Sequence, residues 1–173
     1  MEIKGKVAYI TGGTKGIGLG VAKCLLNEGM KVAISGRSLD GVEKAVETLG
    51  NPENVLGIQS NVAKLSEEIQ AVNKILQRWG RLDLAFANAG VGYFAPVDEL
   101  SEEKWLQMVE TNLNGVFYTL KAAVDALKTT EGYYMTLASL AGTNFFPQGA
   151  GYNASKFGVV GFTQAAMLDL RKY

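Results

Sequence analysis

Short apolar segments alternate along the chain with longer segments in which apolar residues recur every three or four positions. The short segments are rich in β-branched residues and end at glycine or polar residues, as buried strands do. They predict strands at Lys6–Thr11, Lys31–Ser35, Asn54–Gln59, Leu82–Ala87 and Tyr133–Ala138. The third of these contains Gly57, which is unfavourable inside a strand. Because the apolar runs are continuous rather than alternating, we expect both faces of the sheet to be covered.

The longer segments have the spacing of helices. In the first of them Ile17, Val21 and Leu25 share one face, and Gly29 follows its end. The same criterion predicts helices at Gly16–Glu28, at Leu39–Leu49, at Lys64–Trp79, from Trp105 to Leu127 after a cap at Ser101, and at Gly151–Arg171. Regular alternation of strands and helices predicts an α/β protein, with a parallel, doubly wound sheet between two layers of helices and right-handed crossovers. No linker or repeat divides residues 1–173, so we expect a single domain.

Composition excludes several classes of function. Lys plus Arg and Asp plus Glu number 17 each, so no excess charge indicates nucleic acid or an anionic membrane as a partner. The chain has no histidine, which excludes Ser-His-Asp catalysis and most zinc sites, and we expect no metal. Its one cysteine, Cys24, cannot form an internal disulfide, and no apolar run is long enough to span a bilayer. We therefore expect a cytoplasmic protein.

A glycine-rich turn follows the first predicted strand and opens the first predicted helix. It reads Thr11-Gly12-Gly13-Thr14-Lys15-Gly16-Ile17-Gly18. Glycine lets the backbone approach a phosphate closely, and the N-terminus of the following helix favours negative charge. A turn of this kind is often only a turn, so other residues must decide whether it binds a nucleotide.

A tyrosine and a lysine stand four positions apart in the last predicted helix. Tyr152 and Lys156 would therefore share one helix face. A free tyrosine has a pKa of about 10, and a nearby ammonium lowers that pKa, as a proton donor and acceptor at neutral pH requires. In most proteins such a pair is one packed ring and one solvated charge, so the pair alone decides nothing.

Several motifs, in order along the chain, resemble those of the classical short-chain dehydrogenase/reductases. The glycine-rich turn resembles the cofactor motif of that family, and Asn88-Ala89-Gly90 after the fourth strand resembles its Asn-Ala-Gly motif. Asn112 falls where the family has a catalytic asparagine, Ser139 precedes Tyr152 by the distance that suits the family's serine, and Tyr152-x-x-x-Lys156 completes the set. The resemblance extends from the first strand to the last residue and implies a single NAD(P)-binding Rossmann-type domain over residues 1–173.

The resemblance also implies a reaction and its residues. The family transfers a hydride between nicotinamide and a small-molecule carbonyl or alcohol substrate. Tyr152 would exchange the proton with the substrate oxygen, Lys156 would lower the tyrosine pKa and hold the nicotinamide ribose, Ser139 would bind the substrate oxygen, and Asn112 would anchor a water relay. Each of the last two also has an ordinary alternative, since serine often caps a strand end and asparagine often interrupts a helix. The implied cofactor contacts are Gly12, Thr14, Lys15, Gly16, Ile17, Gly18, Arg37, Asn61, Val62, Asn88, Ala89, Gly90, Tyr152 and Lys156.

The choice of cofactor depends on the end of the second strand. Enzymes that use NAD commonly have an acidic residue there to bind the ribose 2′-hydroxyl, whereas this chain has Ser35-Gly36-Arg37-Ser38. Arg37 can hold a 2′-phosphate with a charge-assisted fork, and Lys15 can add a second positive charge. The alternative is that both are ordinary surface bases. We expect NADP, with NAD less favoured.

The sequence departs from the family pattern in two places. Asn61 stands where the family has an aspartate that contacts adenine, and an amide oxygen can still accept that hydrogen bond. Family members also continue beyond the position of Tyr173 with further strands, a loop over the nicotinamide and a substrate lid, so those C-terminal strands are missing here. We expect a longer natural chain. The alternative is a catalytically impaired cofactor-binding or regulatory protein of the same fold, and a sugar-nucleotide epimerase or dehydratase is disfavoured by the glycine spacing.

Two further expectations concern partners. The aromatic segments 91–94 and 145–148 either flank a substrate pocket with an apolar wall or belong to the core or an interface. The family also commonly forms homodimers or homotetramers through helices that correspond here to residues 101–128 and 151–171. Their apolar residues predict the same assembly unless most of them face the sheet.

Overall fold

A computed structural model describes residues 2–50 and 53–173. The five predicted strands are present: β1 (Val7–Ile10), β2 (Lys31–Gly36), β3 (Val55–Gln59), β4 (Leu84–Ala87) and β5 (Tyr133–Thr136). All pairs are parallel, and the order in the sheet is β3-β2-β1-β4-β5. The predicted fold class is confirmed, with strand ends displaced by one or two residues.

Helices cover both faces of this sheet. They are α1 (Gly16–Asn27), α2 (Leu39–Leu49), α3 (Leu65–Trp79), α4 (Glu102–Val109), α5 (Gly115–Thr130) and α6 (Ala150–Leu170), with a 3₁₀ turn at Leu140–Gly142. Successive residues of a strand point to opposite faces, so Ala8 and Ile10 pack with α1 and α2, whereas Val7 and Tyr9 pack with α3 and α5. The covered sheet explains why its strands are apolar throughout.

The predicted long helix from Trp105 to Leu127 is present, but it is not α-helical throughout. Residues Glu110–Asn114 form a π-helical turn between α4 and α5. The predicted cap at Ser101 is present, since its Oγ accepts a hydrogen bond from Lys104 N at 3.3 Å. π-turns insert one residue into the helical repeat and occur frequently at functional sites. Here the turn contains Asn112, whose side chain is buried.

Gly57 has a packing function in β3. A methyl group in place of its α-hydrogen would lie 2.6 Å from Val42 Cγ1 and 2.7 Å from Val46 Cγ2 of α2. Nonbonded contacts of a Cβ atom are essentially never this short, so the glycine is what lets α2 lie close to the sheet. The strand prediction at this position is confirmed, and the glycine that weakened it contributes to the helix–sheet contact.

The outer edge of β5 has no partner strand within residues 2–50 and 53–173. Tyr133 and Met135 on this strand are 54% and 53% exposed. A groove of about 440 Å³ runs beside it between α5 and α6, and its walls include Leu120, Val124 and Met167. In the described part of the chain, no helix combines the length and the apolar character that a membrane span requires.

Candidate active site

The strand order reverses between β1 and β4, and a cleft of about 450 Å³ opens at the carboxyl ends of the strands there. Open α/β sheets bind ligands at such switch points, because the loops on either side diverge and leave a crevice. The predicted cofactor residues that line the cleft are Gly12, Thr14, Lys15, Gly16, Ile17, Arg37, Val62, Asn88, Ala89 and Gly90. The other predicted cofactor residues, Gly18, Asn61, Tyr152 and Lys156, do not line it.

The glycine-rich turn leaves room for a phosphate at the start of α1. Gly16 has φ +56°, and a methyl group on its Cα would meet no atom within 4 Å, so this side of the turn is open. Lys15, at the N-cap of α1, makes no side-chain cap, which leaves the first N–H groups of the helix available. At Gly12, with φ +64°, there is no room for a side chain, because a methyl group there would lie 2.8 Å from Ala89 Cα. These features fit a dinucleotide, with its pyrophosphate at the helix N-terminus.

The Asn-Ala-Gly segment ties the end of β4 to the glycine-rich turn. Asn88 Nδ2 donates to Thr11 O at 2.8 Å and to Gly12 O at 3.1 Å. The backbone N–H groups of Asn88 and Ala89 donate to Thr11 Oγ1 at 3.1 and 3.2 Å. Glycine at position 18 leaves room for the Asn88 side chain, since a methyl group there would lie 2.5 Å from Asn88 Nδ2. Asn88 therefore fixes the cradle, and Thr11, to which the sequence assigned no contact, is its main partner.

Two basic side chains border the end of the cleft above β2. Lys15 and Arg37 are both exposed. Neither takes part in the ion pairs found in residues 2–50 and 53–173. None of the described residues that line the cleft is acidic. The electrostatics at this end therefore favour an anion.

At the next strand end, Asn61 uses its side chain within its own turn. Its Oδ1 accepts from Ala63 N at 3.1 Å, and its backbone N–H donates to Glu67 Oε2 at 2.7 Å. The amide oxygen keeps a second lone pair, so its predicted contact with adenine remains a prediction. Val62, the next residue, lines the cleft and lies against Gly115, where a methyl group would be 2.8 Å from Val62 Cγ2.

Asn112 joins three parts of the site from inside the π-turn. Its Oδ1 accepts from Val91 N at 2.8 Å. Its Nδ2 donates to Val91 O at 2.8 Å and to Ser155 Oγ at 3.0 Å. Both amide hydrogens are thus bound by protein, and the loop after β4 is held against α6. The alternative was that Asn112 interrupts the helix by bonding to its own backbone, whereas its side chain bonds to Val91 and Ser155 of other segments.

Helix α6 brings Tyr152 and Lys156 together as the spacing predicts. Lys156 is 4% exposed, its Nζ donates to Leu137 O at 2.7 Å, and Nζ lies 5.8 Å from the centre of the Tyr152 ring. Burial lowers the pKa of Lys156 below its ordinary value, because the ammonium loses solvation.

Ser139 begins the 3₁₀ turn that follows β5. Its Oγ accepts from Ala141 N at 3.2 Å, so the cap that the sequence left open as an alternative is present. The hydroxyl hydrogen remains available to donate elsewhere. Asn153, next to Tyr152, fixes the same segment to α6, since its Nδ2 donates to Ala141 O at 2.8 Å and to Asn144 O at 2.7 Å. The segment with Ser139 and the helix with Tyr152 are therefore fastened together.

The sequence did not reveal a buried carboxyl group behind the cleft. Glu68 of α3 is 0% exposed and accepts from Ser60 Oγ at 2.7 Å, and Ser60 lines the cleft. Tyr9 OH and Thr119 Oγ1 also donate to its carboxyl oxygens, at 3.0 and 3.1 Å. Burial raises the pKa of Glu68 above its ordinary value. The available signal was its helical spacing with Val72 and Ile75, which places a glutamate in an apolar stripe.

Comparisons with known proteins agree with this geometry. The family model for short chain dehydrogenase matches residues 6–173. An uncharacterized oxidoreductase of Listeria monocytogenes is 32% identical over 161 residues, which cover 92% of this chain and 65% of that protein. The chain thus spans about two thirds of the length of that relative.

Solved structures show the same fold. An alcohol dehydrogenase from Thermococcus sibiricus complexed with 5-hydroxy-NADP superposes with a TM-score of 0.91 and 36% identity, over 96% of this chain and 72% of that one. A short chain dehydrogenase/reductase from Burkholderia phymatum in complex with NAD gives a TM-score of 0.94 and 29% identity, over 99% and 62%. Sequence, sheet order and cleft agree, and the chain belongs to the short-chain dehydrogenase/reductase family.

Proposed function

We propose that this chain forms the cofactor-binding and catalytic part of an NADP-dependent oxidoreductase that acts on a carbonyl or alcohol substrate. The observation that carries the proposal is the buried ammonium of Lys156, which lies beside Tyr152 and is bonded to the carbonyl of Leu137, a residue that lines the cleft. A bound nicotinamide would supply or accept the hydride. The chain supplies the proton, the orientation of the substrate and the binding of the cofactor.

Proton transfer is assigned to Tyr152. In the reducing direction its hydroxyl donates to the substrate oxygen as negative charge develops there, and in the oxidising direction it accepts the alcohol proton. Lys156 stabilises the phenolate, and its Nζ, fixed by Leu137 O at 2.7 Å, is held in place for this task. Ser139, whose oxygen accepts from Ala141 N, keeps its hydroxyl hydrogen and is assigned to donate it to the substrate oxygen.

Asn112 is a positioning residue in this proposal. Its contacts with Val91 and Ser155 hold the loop after β4 and the helix with Tyr152 at a fixed separation. The resemblance to the family also assigns Asn112 the role of anchoring a water relay to Lys156, and that role stays a prediction. Gly12, Gly16, Gly18 and the Asn88–Gly90 segment form the cradle for the pyrophosphate and its surroundings.

The proposed cofactor is NADP rather than NAD. Arg37 and Lys15 provide two positive charges at the end of β2, and no described residue that lines the cleft provides the carboxylate that would bind a free 2′-hydroxyl. The Thermococcus sibiricus structure is complexed with 5-hydroxy-NADP and the Burkholderia phymatum structure is in complex with NAD, so the fold accommodates either kind of cofactor. The choice therefore depends on the charges of this chain.

A catalytically impaired cofactor-binding protein is the second candidate. The match to the short chain dehydrogenase family over residues 6–173 does not favour it, and it is kept only as the alternative outcome of the test. Such a protein would bind NADPH and turn over no carbonyl substrate. The experiment below separates the two candidates.

The test is NADPH oxidation with a panel of ketones, with NADPH affinity measured separately by fluorescence. Tyr152→Phe should keep the affinity and lower turnover by at least about a hundredfold, since it removes only the proton donor. Tyr133→Phe is the matched control, because Tyr133 is 54% exposed on β5, away from the cleft. Turnover of Tyr152→Phe within a few-fold of wild type contradicts the assignment. Tight NADPH binding without any turnover by the unmutated protein favours the second candidate.

We also propose that the protein assembles into homodimers or homotetramers through α4, α5 and α6. Leu106, Phe117 and Phe157 on these helices are 43%, 44% and 44% exposed. A second copy that covers these side chains would remove their apolar surface from water. A cytoplasmic location agrees with the exposed thiol of Cys24, since reducing compartments keep such thiols free.

A further inference from the structure

Aromatic rings border the proposed proton donor on its open side. The centre of the Phe94 ring lies 5.6 Å from that of Tyr152, with the planes at 61°, and 6.0 Å from that of Phe146. Edge-to-face rings at such distances attract each other. Phe94 and Phe146 nevertheless stay 57% and 42% exposed. We call these two side chains the aromatic wall.

The backbone beneath the aromatic wall is shaped for it. A methyl group on Gly92 would lie 3.2 Å from Phe94 Cζ, and one on Gly149 would lie 2.5 Å from Phe146 Cε2, so glycine leaves space for both rings. The two loops are joined directly, because Ala95 N donates to Gln148 O at 3.1 Å. The aromatic wall is therefore a fixed surface rather than two independent side chains.

The charged groups tied to the first loop do not form an anion site. Lys104 Nζ lies 5.7 Å from the centre of the Tyr93 ring, and Tyr93 OH donates to Gln107 Oε1 at 2.7 Å. Gln107 Nε2 in turn donates to Glu103 Oε1 at 3.3 Å. One cation and one anion therefore adjoin this loop. A substrate that carries phosphates needs a cluster of basic groups, and these two residues do not supply it.

We propose that the aromatic wall makes this enzyme selective for uncharged ketones with an aromatic ring, or a comparable apolar group, next to the carbonyl, over small and phosphate-bearing ketones. The inference rests on the proposed function, because it places the substrate oxygen at Tyr152. With the carbonyl there, the substituent nearest to Phe94 lies along the ring pair and packs against it. Each ring contact of this kind favours the aromatic substrate by about two- to tenfold.

The experiment compares kcat/KM for acetophenone and for butanone, at saturating NADPH, in the wild type and in variants. Phe94→Ala should lower the acetophenone-to-butanone ratio by about tenfold, mainly through a higher KM for acetophenone. Phe94→Leu should give a ratio between those of the wild type and Phe94→Ala, since leucine keeps the apolar bulk but lacks the ring. Phe145→Ala is the matched control, because Phe145 is 88% exposed and forms none of the ring pairs found in the described residues.

The outcomes separate this inference from the function on which it rests. Reduction of both ketones with the same ratio in wild type and Phe94→Ala overturns the inference and leaves the function intact. If the wild type reduces no ketone, the proposed function fails. Ligand-observed NMR with acetophenone then still tests the aromatic wall: weaker binding by Phe94→Ala than by Phe145→Ala supports it, and equal binding overturns it.

Discussion

The buried carboxyl group of Glu68 should contribute to stability mainly through one serine hydroxyl. Three hydroxyl groups donate to Glu68, from Ser60 at 2.7 Å, Tyr9 at 3.0 Å and Thr119 at 3.1 Å. Two of these have other acceptors within reach, since Tyr9 OH lies 3.1 Å from Ser35 Oγ and Thr119 Oγ1 lies 2.8 Å from Gly115 O. Ser60 makes the shortest of the three hydrogen bonds, and apart from Glu68 the Tyr9 hydroxyl is the other side-chain group found near its Oγ in residues 2–50 and 53–173.

The substitution Glu68→Leu therefore removes the acceptor of the shortest hydrogen bond in the cluster and orphans the Ser60 hydroxyl unless Tyr9 accepts from it. An unsatisfied buried hydroxyl costs about 1–3 kcal/mol, whereas an apolar side chain at the carboxyl position costs little in itself. We expect the free energy of unfolding to fall by about 1–3 kcal/mol and the Tm by about 2–4 °C per kcal/mol. Urea and thermal unfolding followed by circular dichroism measure both.

A double-mutant cycle shows whether Ser60 is the cause. Ser60→Ala alone should destabilise, because the buried carboxyl loses its shortest hydrogen bond. Glu68→Leu together with Ser60→Ala removes both the acceptor and the orphaned donor, so it should be more stable than Glu68→Leu alone. Additive single effects, with a double variant that is less stable than either single one, would refute this account of the cluster.

The same carboxyl group makes stability depend on pH. Burial raises the pKa of Glu68 above its ordinary value of 4.5. Between the two pKa values the folded state holds a proton that the unfolded state has released, so stability falls as pH rises, by up to about 1.4 kcal/mol per pH unit. The stability of the wild type relative to Glu68→Gln should thus be greatest below about pH 4.5 and decrease as pH rises above that value. A difference that stays constant across this range contradicts the role of burial.

Three further predictions concern cofactor choice, acid stability and assembly. Arg37→Asp should lower the affinity for NADPH on the order of tenfold and so narrow or reverse the preference for NADPH over NADH. Equal titration curves for both cofactors on the unmutated protein would count against a 2′-phosphate site. Burial acts to raise the pKa of Asp83, but Arg81 and the N–H of Val7 outweigh it and lower the pKa below 3.8. The free energy of unfolding of the wild type should exceed that of Asp83→Asn by about 1–3 kcal/mol at neutral pH. This difference should disappear as pH falls below about 3.8, where the carboxylate takes up a proton. Urea unfolding at several pH values measures it, and a difference that persists in acid contradicts the role of the Asp83 carboxylate. Phe117→Glu together with Phe157→Glu should shift sedimentation toward the monomer, whereas a wild type that sediments as a monomer at all concentrations rules out assembly through α5 and α6.

The sequence alone determined the sheet, its helices and the nucleotide cradle. Strand and helix periods report local burial, which is strong in β1, β2 and β4, and the apolar pattern persists even in β5, where Tyr133 and Met135 are 54% and 53% exposed. The cradle could be predicted because its residues lie within single short segments, such as Gly12–Gly18 and Asn88–Gly90. The helical spacing of Tyr152 and Lys156 likewise fixed their shared face without any tertiary information.

Only the tertiary structure decided which distant residues support the site. The π-turn that directs Asn112 to Val91 and Ser155 has no periodic signature, since one inserted residue barely changes the apolar pattern of a helix. Glu68 looks like a solvated residue until α3 packs on the sheet and brings it to Tyr9, 59 positions away in sequence. Such contacts depend on how whole elements pack, because a buried polar group is stable only where partners from other elements meet it.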